Sequence, residues 1–76
     1  MYYVYVLKNV RTGKLYYGYS NNLKRRLSEH NKEEKWKLIY YEAYKAESDA
    51  RRRERGIKNS GQAISALKSR IKESLE

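Results

Sequence analysis

Three polar residues are predicted to lie on the inward-facing sides of helices, where a polar side chain is unusual. Measured from Leu23 at about 100° per residue, His30 lies about 20° and Arg26 about 60° away, within or beside the apolar stripe of one helix. On the next helix, Glu54 lies about 40° from Ala50, on the side that carries the small and apolar residues. Because burying a charge is costly unless the charge is paired, these three residues are candidates for a functional site.

Each candidate also has an ordinary structural explanation. Arg26 can pack its aliphatic stem against the core while its head group reaches solvent. His30 can be a half-buried histidine whose hydrogen bonds are satisfied. Glu54 can form an ion pair, for example with Arg26. The residue types and their spacing leave these alternatives open.

Together the three residue types meet the requirements of phosphodiester hydrolysis. Arg26 would place positive charge against the phosphate oxygens, and the carboxylate of Glu54 would bind a hard divalent cation through oxygen. The attacking water must lose a proton, which His30 or a tyrosine could accept directly or through a relay. The chain has nine tyrosines and no phenylalanine, and Lys14 would supply the positive charge that a base at Tyr16 needs.

The composition indicates a polyanionic partner and excludes several kinds of site. The 76 residues include 18 Lys and Arg against 9 Asp and Glu, a formal net charge of +9, which favours contact with nucleic acid. The absence of Cys excludes disulfides and thiolate metal sites, and a single His excludes zinc sites built from several histidines. No segment resembles a membrane span or a signal segment. We therefore expect a cytoplasmic protein with no membrane partner and no small-molecule cofactor.

The apolar and turn residues predict six elements in a single domain of residues 1–76. The predicted strands cover residues 2–10, 14–19 and 36–44, and the predicted helices cover residues 23–31, 47–58 and a segment that begins near Ser60. The order β-β-α-β-α-α is typical of an α+β fold, a small three-stranded and mainly antiparallel sheet flanked by helices. Gly56 inside the second helix costs about 1 kcal/mol relative to Ala and indicates an early helix end or a close contact.

The turn between the first two strands decides whether Tyr5 and Tyr16 share a face of the sheet. A two-residue turn at residues 12–13 would place Tyr5 opposite Ser20 and both tyrosines on one side. A three-residue loop without a bulge would separate them. Gly18 is a weak strand former and indicates a bulge or a close backbone approach in the second strand.

The spacing of these residues resembles the GIY-YIG endonuclease superfamily, and most closely its small single-domain bacterial branch. Arg26 and His30 follow Gly18 by eight and twelve residues, as in the helix of that family. One departure is Tyr3-Val4 in place of the founding Gly-Ile, which is common in the small branch. The similar segments, in order along the chain, are residues 3–5, 14–18, 20–31, 36–42 and 50–58.

The resemblance implies roles for the candidate residues. Tyr5 and Tyr16 would position or deprotonate the attacking water, with Tyr16 slightly favoured as the base. Arg26 would hold the scissile phosphate, His30 would assist proton transfer or contact the phosphate, and Glu54 would be the one protein ligand of a Mg²⁺ or Mn²⁺ ion. The residues expected to contact nucleic acid, with Gly18 allowing a close backbone approach, are Lys14, Gly18, Lys24, Arg25, Arg51 and Arg53.

The sequence therefore predicts a metal-dependent endonuclease that cuts DNA with little sequence specificity, because basic residues that contact phosphate position a duplex without reading its bases. Two alternatives remain open. One is a nucleic-acid-binding module that keeps the fold without the activity. The other is a basic structural or assembly protein in which Arg26 and Glu54 form an ion pair.

Overall fold

Three strands and three helices follow one another in the predicted order β-β-α-β-α-α in the computed structural model, which describes residues 1–76. The strands form one antiparallel sheet with the order β2-β1-β3, so β1 is central. The α+β prediction is confirmed. The elements are β1 (Tyr2–Asn9), β2 (Leu15–Ser20), α1 (Leu23–His30), β3 (Trp36–Tyr44), α2 (Glu47–Lys58) and α3 (Gly61–Arg70).

Side-chain caps explain where α1 and α3 begin. The side chain of Asn22 accepts a hydrogen bond from the backbone N–H of Arg25 at 3.0 Å, which caps α1. Ser60 caps α3 in the same way, accepting from the N–H of Ala63 at 3.2 Å. Gly56 neither ends α2 nor makes room for a neighbour, because the helix continues to Lys58 and a Cβ at Gly56 would meet nothing within 4 Å.

The β1–β2 hairpin has a longer loop than the two-residue turn that would place Tyr5 opposite Ser20. Tyr5 is instead opposite Gly18. The side-chain oxygen of Asn9 accepts hydrogen bonds from the N–H groups of Arg11 and Thr12, both at 2.9 Å, and this stabilises the wider loop. Because the register differs by an even number of residues, Tyr5 and Tyr16 still lie on the same face.

The hydrophobic core lies on the other face of the sheet, beneath α2 and α3. Val4 and Val6 of β1 pack against Ala50 and Ile57 of α2 and against Leu67 of α3, and all of these residues are at most 1% exposed. The odd-numbered side chains of β1 point away from this core towards α1. We call the face that carries Tyr5 and Tyr16 the site face. No residue of α1 is fully buried, so α1 covers this face only in part.

A β-bulge in β3 changes which of its residues reach the site face. Val6 pairs with Tyr40, but the next residue of β1, Leu7, pairs with Leu38, so β3 contains one extra residue at this point. A one-residue insertion reverses the alternation of side chains beyond it. The odd-numbered Tyr41, which follows the bulge along β3, therefore lies on the site face. The even-numbered Trp36, which precedes the bulge, lies on the same face.

A partly buried ion pair fixes how α2 is rotated on the sheet. Glu42 of β3 accepts hydrogen bonds from Nε and Nη2 of Arg53, each at 3.0 Å, and from the hydroxyl of Tyr40 at 2.6 Å and that of Tyr44. Burial acts to raise the pKa of Glu42, but these hydrogen bonds hold it below its usual value. Arg53 is therefore directed towards β3. No helix in the structure has both the length and the apolar character needed to cross a membrane.

Candidate active site

The ring of Tyr5 lies directly over Gly18 of the edge strand β2. A Cβ atom at Gly18 would lie 2.5 Å from Cζ of Tyr5 and 2.9 Å from Cε2 of Tyr16, too close for any real side chain. The close approach predicted at Gly18 is therefore made by two tyrosine rings, and these rings bury the glycine. This changes the role of Gly18: it gives space to the rings and is not available for contact with nucleic acid.

Four aromatic side chains meet above this glycine. The hydroxyl of Tyr5 lies 3.2 Å from Nε2 of His30, within hydrogen-bond distance. The centroid of the His30 ring lies 4.6 Å from that of Tyr16, and the rings of Tyr16 and His30 each lie 6.2 Å from Trp36. Tyr5 is only 2% exposed whereas Tyr16 is 39% exposed. Water therefore reaches the cluster from the side of Tyr16.

Burial determines the protonation states of Tyr5 and His30. It raises the pKa of Tyr5 to about 12, the neighbouring phenol of Tyr16 adds to this rise, and the charge of Arg26 opposes it. Burial also lowers the pKa of His30, helped by Arg26 and opposed by the carboxylate of Glu29. At neutral pH Tyr5 is therefore a neutral phenol and His30 a neutral imidazole. The phenol donates to Nε2 when the imidazole proton is on Nδ1.

Arg26 reaches the same cluster from α1 with unused hydrogen-bonding capacity. Its Nη1 lies 3.4 Å from Oε1 of Glu29, one turn further along the helix, and its side chain is 41% exposed. Its Nε is buried and has no hydrogen-bond partner. A buried N–H without an acceptor is costly, so Arg26 has a donor available for a bound anion.

Glu54 lies on the side of α2 that faces β2. At about 100° per residue it falls in line with Glu47 and Arg51. Both of those residues contact Tyr19 of β2: Glu47 accepts from its hydroxyl at 2.5 Å, and the guanidinium of Arg51 lies 4.7 Å from its ring centroid. Glu54 lies about 100° around the helix from Arg53, and since Arg53 is directed towards β3, this geometry places Glu54 on the β2 side.

Charged residues on both α1 and α2 affect the pKa of the Tyr5 phenol. Arg26 on α1 lowers the pKa of Tyr5, and Glu54 on α2 raises it, although α1 and α2 pack on opposite faces of the sheet. Arg26 and Glu54 do not pair with each other: Arg26 contacts Glu29, and Nζ of Lys58 lies 3.0 Å from Oε2 of Glu54. The ion pair required by the assembly-protein alternative is therefore not formed.

Glu54 is the carboxylate that the sequence predicts to hold a metal ion. No group of three or more His, Asp or Glu side chains converges anywhere in the protein. Glu54 is 21% exposed, and its partner Lys58 is 48% exposed on the same helix face. A partly exposed carboxylate beside a mobile ammonium group fits a cation that keeps most of its water ligands, as Mg²⁺ does.

The predicted nucleic-acid contacts are not all brought to this cluster. Lys24 and Arg25 are exposed on α1, close to Arg26 in sequence. Lys14 instead lines a separate depression with Lys8 and Lys68. Arg51 is engaged by Glu47 and Tyr19, and Arg53 is held by Glu42. For these last three residues the structure provides other partners or another location.

Two residues of the site were missed in the sequence. Trp36 was assigned only to a strand, and its place beside Tyr16 depends on the bulge in β3. Asn31 ends α1 and joins it to β3, because its amide donates to the carbonyls of Leu27 at 2.8 Å and Trp36 at 3.2 Å and accepts from the N–H of Trp36 at 2.9 Å. Asn31 thereby fixes the neighbouring His30 against the cluster. An Asn directly after a helix is a known C-terminal signal, but it does not indicate its partner strand.

Replacing Gly18 should disrupt the site far more than replacing Gly56. We expect Gly18→Ala to lower the free energy of unfolding by about 1–3 kcal/mol, because the new Cβ must displace the Tyr5 ring. Gly56→Ala is the matched control and should stabilise by about 0.5–1 kcal/mol, because the added methyl meets no neighbour and favours the helix. Urea unfolding measures both values. Equal effects of the two substitutions would contradict the packing described for Tyr5.

The single tryptophan allows the coupling of Asn31 to His30 to be measured without substrate. A protonated imidazole quenches a neighbouring indole, so Trp36 fluorescence should fall with decreasing pH at a midpoint below 6.5, since the pKa of His30 is lowered. Asn31→Ala should move the midpoint towards 6.5 and reduce its amplitude, because His30 becomes less buried. His30→Gln should remove the transition altogether. A parental midpoint and amplitude in Asn31→Ala would show that Asn31 does not position His30.

Comparison with known proteins agrees with the resemblance seen in the sequence. The model of the GIY-YIG catalytic domain matches residues 1–68. Neither the curated proteins nor the solved structures contain a match to the chain. A match to the GIY-YIG catalytic domain implies nuclease activity in general, with DNA as the substrate. The chain that carries this aromatic cluster therefore belongs to the GIY-YIG catalytic domain family.

Proposed function

We propose that this protein is a metal-dependent endonuclease that hydrolyses phosphodiester bonds of DNA through a site with one metal ion. The observation that carries the proposal is the packing of Tyr5, Tyr16 and His30 over Gly18, with the hydroxyl of Tyr5 3.2 Å from Nε2 of His30. Arg26 of α1 and Glu54 of α2 shift the pKa of Tyr5 in opposite directions, which supports their place beside this cluster. This arrangement supports a site in which Arg26 binds phosphate, Glu54 binds a cation, and Tyr16 and His30 transfer protons.

Arg26 is proposed to hold the scissile phosphate. Its side chain is 41% exposed, so a phosphate oxygen can approach the guanidinium from solvent. Binding of the phosphate competes with Glu29, whose contact of 3.4 Å with Arg26 is long and exposed. Positive charge at this position stabilises the additional negative charge that develops on the phosphate oxygens in the transition state.

Tyr16 and His30 are proposed to take the proton from the attacking water. Tyr16 is the tyrosine that water reaches, whereas Tyr5 is buried with a pKa of about 12 and does not ionise at neutral pH. His30 is neutral because its pKa is lowered, so it can accept a proton. In the tautomer with the proton on Nε2, His30 donates to the hydroxyl oxygen of Tyr5, which orients the ring and leaves Nδ1 free to accept a proton. Activity should therefore fall as the pH decreases through the lowered pKa of His30, below 6.5.

Glu54 is proposed to be the one protein ligand of a Mg²⁺ or Mn²⁺ ion. Such an ion, when bound, would stabilise the negative charge on the leaving oxygen. The carboxylate must exchange the ammonium group of Lys58 for the ion. Because the contact between Lys58 and Glu54 is a partly exposed pair on one helix, its loss costs little.

Low sequence specificity is part of the same proposal. The exposed basic residues near the cluster, Lys24 and Arg25, are suited to contact phosphates, which positions a substrate without identifying its bases. Binding should therefore weaken steeply with salt. The single-domain organisation over residues 1–76 and the cytoplasmic location stay predictions. The alternative is a module that binds DNA without cutting it.

Cleavage assays on labelled duplex, branched and single-stranded DNA with Mg²⁺ or Mn²⁺ test the function. We expect Glu54→Gln and Arg26→Ala each to reduce kcat by about 100-fold or more, the usual effect of removing one group that stabilises transition-state charge. Arg52→Ala is the matched control, because Arg52 is an exposed arginine of α2 that pairs only with Asp49. Its activity should stay within about two-fold of the parent.

Two outcomes of this assay would contradict the proposal. Equal cleavage by the parent, Glu54→Gln and Arg26→Ala would assign the activity to a contaminant. Absence of cleavage on every substrate with either ion, while DNA binding is intact, would favour the non-catalytic module.

A further inference from the structure

A groove next to the candidate active site has no role in the proposed mechanism. It has a volume of about 510 Å³ and runs between α1 and the β3 side of the sheet. We call it the tyrosine groove. The lining residues that matter for its chemistry are Tyr3, Tyr41, Leu23, Leu27, Asn21 and Lys24.

Tyr41 is unusually exposed for its position in the sheet. It is directly opposite Tyr5, yet it is 53% exposed whereas Tyr5 is 2% exposed. Its one aromatic neighbour is Tyr3, with 5.9 Å between ring centroids and 66° between ring planes. Leu23 and Leu27 of α1 are also only half-buried. A large aromatic face is therefore open in a groove whose walls are apolar.

The rim of the tyrosine groove is positively charged. Lys24 lines the groove and also a neighbouring depression, which adds Arg25 and Lys32, with Glu29 as the one acidic residue there. The amide side chain of Asn21 lies at the same rim. An apolar peptide or a second copy of this basic chain would gain nothing from these charges. An open aromatic face beside cations is the combination that binds unpaired bases and their phosphates.

We propose that the tyrosine groove binds an unpaired nucleobase of single-stranded DNA, which stacks on Tyr41 while Lys24 contacts the adjoining phosphate. A base within a duplex is covered on both sides by its neighbours and cannot stack in this way. This inference rests on the proposed function for its meaning, since it makes the substrate of the nuclease single-stranded or locally unpaired DNA. The binding itself does not require cleavage.

The position of the groove connects it to the cluster. Tyr41, Tyr5 and Gly18 are consecutive partners across the three strands, which are about 4.8 Å apart from one strand to the next. Lys24 and Arg26 are two residues apart on α1 and leave the helix on different sides, so each can contact a different phosphate of one strand. A base on Tyr41 and a phosphate on Arg26 therefore belong to one short stretch of a single strand.

Binding measured by fluorescence anisotropy in EDTA, where no metal-dependent cleavage occurs, tests the proposal. Tyr41→Ala and Tyr41→Leu should each weaken the affinity for labelled oligo(dT) about 5- to 100-fold, the usual effect of losing one stacked base, with an unchanged salt dependence. Tyr41→Phe should bind within about two-fold of the parent, because the ring face is kept. The matched control is Val10→Ala, since Val10 is a 64% exposed residue of the distant hairpin loop.

Two further comparisons separate stacking from charge. Lys24→Ala should reduce the slope of log K against log salt by about 0.7, the effect of one phosphate contact on a single strand. An abasic oligonucleotide should bind the parent and Tyr41→Ala equally. Unfolding midpoints identify any variant that is misfolded, and Tyr41→Leu keeps the test valid if Tyr41→Ala is unstable.

Parental affinity of Tyr41→Leu for oligo(dT) would overturn the proposal. So would a DNA duplex that binds the parent as tightly as oligo(dT) and with the same dependence on Tyr41. If stacking on Tyr41 is observed but the parent cleaves no DNA, base binding in the tyrosine groove is supported and the proposed nuclease function is contradicted. If cleavage depends on Glu54 but not on Tyr41, and duplex DNA is cut as fast as single-stranded DNA, the nuclease function is supported and base binding in the tyrosine groove is contradicted.

Discussion

The contact between the ring of Tyr5 and the backbone of Gly18 is the constraint on which the site depends. Tyr5 belongs to the central strand, and only a residue without a side chain on the edge strand lets its hydroxyl extend over that edge. The hydroxyl is thereby brought to His30 on α1 and within reach of the charge of Glu54 on α2. Two helices on opposite faces of the sheet can therefore contribute to one site.

Two features of β3 complete this arrangement. Glu42 holds Arg53, and because Arg53 and Glu54 flank the buried stripe of α2, fixing one residue towards β3 directs the other towards β2. The bulge between Leu38 and Tyr40 moves Trp36 to the site face, where Asn31 binds its backbone and joins it to the end of α1. These contacts are made by residues outside the proposed reacting set, and they fix the positions of Glu54 and of the neighbours of His30.

The sequence predicted most of the fold, but not the register and contacts that position the candidate site residues. Alternation of apolar residues and the caps Asn22 and Ser60 are local signals, so the order of the elements followed from them. The hairpin register and the bulge depend on one or two residues in the pairing, which residue types do not specify. Trp36 was missed for this reason. The partner of Arg53 was missed because an exposed arginine and a paired one have the same spacing on a helix.

The metal-dependent function requires that Glu54 and the aromatic cluster over Gly18 form one cation-binding site at the β2 edge. Paramagnetic broadening by Mn²⁺ in the nuclear magnetic resonance spectrum of the ¹⁵N-labelled protein measures this most directly. The account predicts that the signals of Glu54, Gly18 and His30 broaden together at low Mn²⁺, and that Glu54→Gln abolishes the effect at all three. Broadening confined to α2, or broadening of Gly18 and His30 that persists in Glu54→Gln, would contradict it.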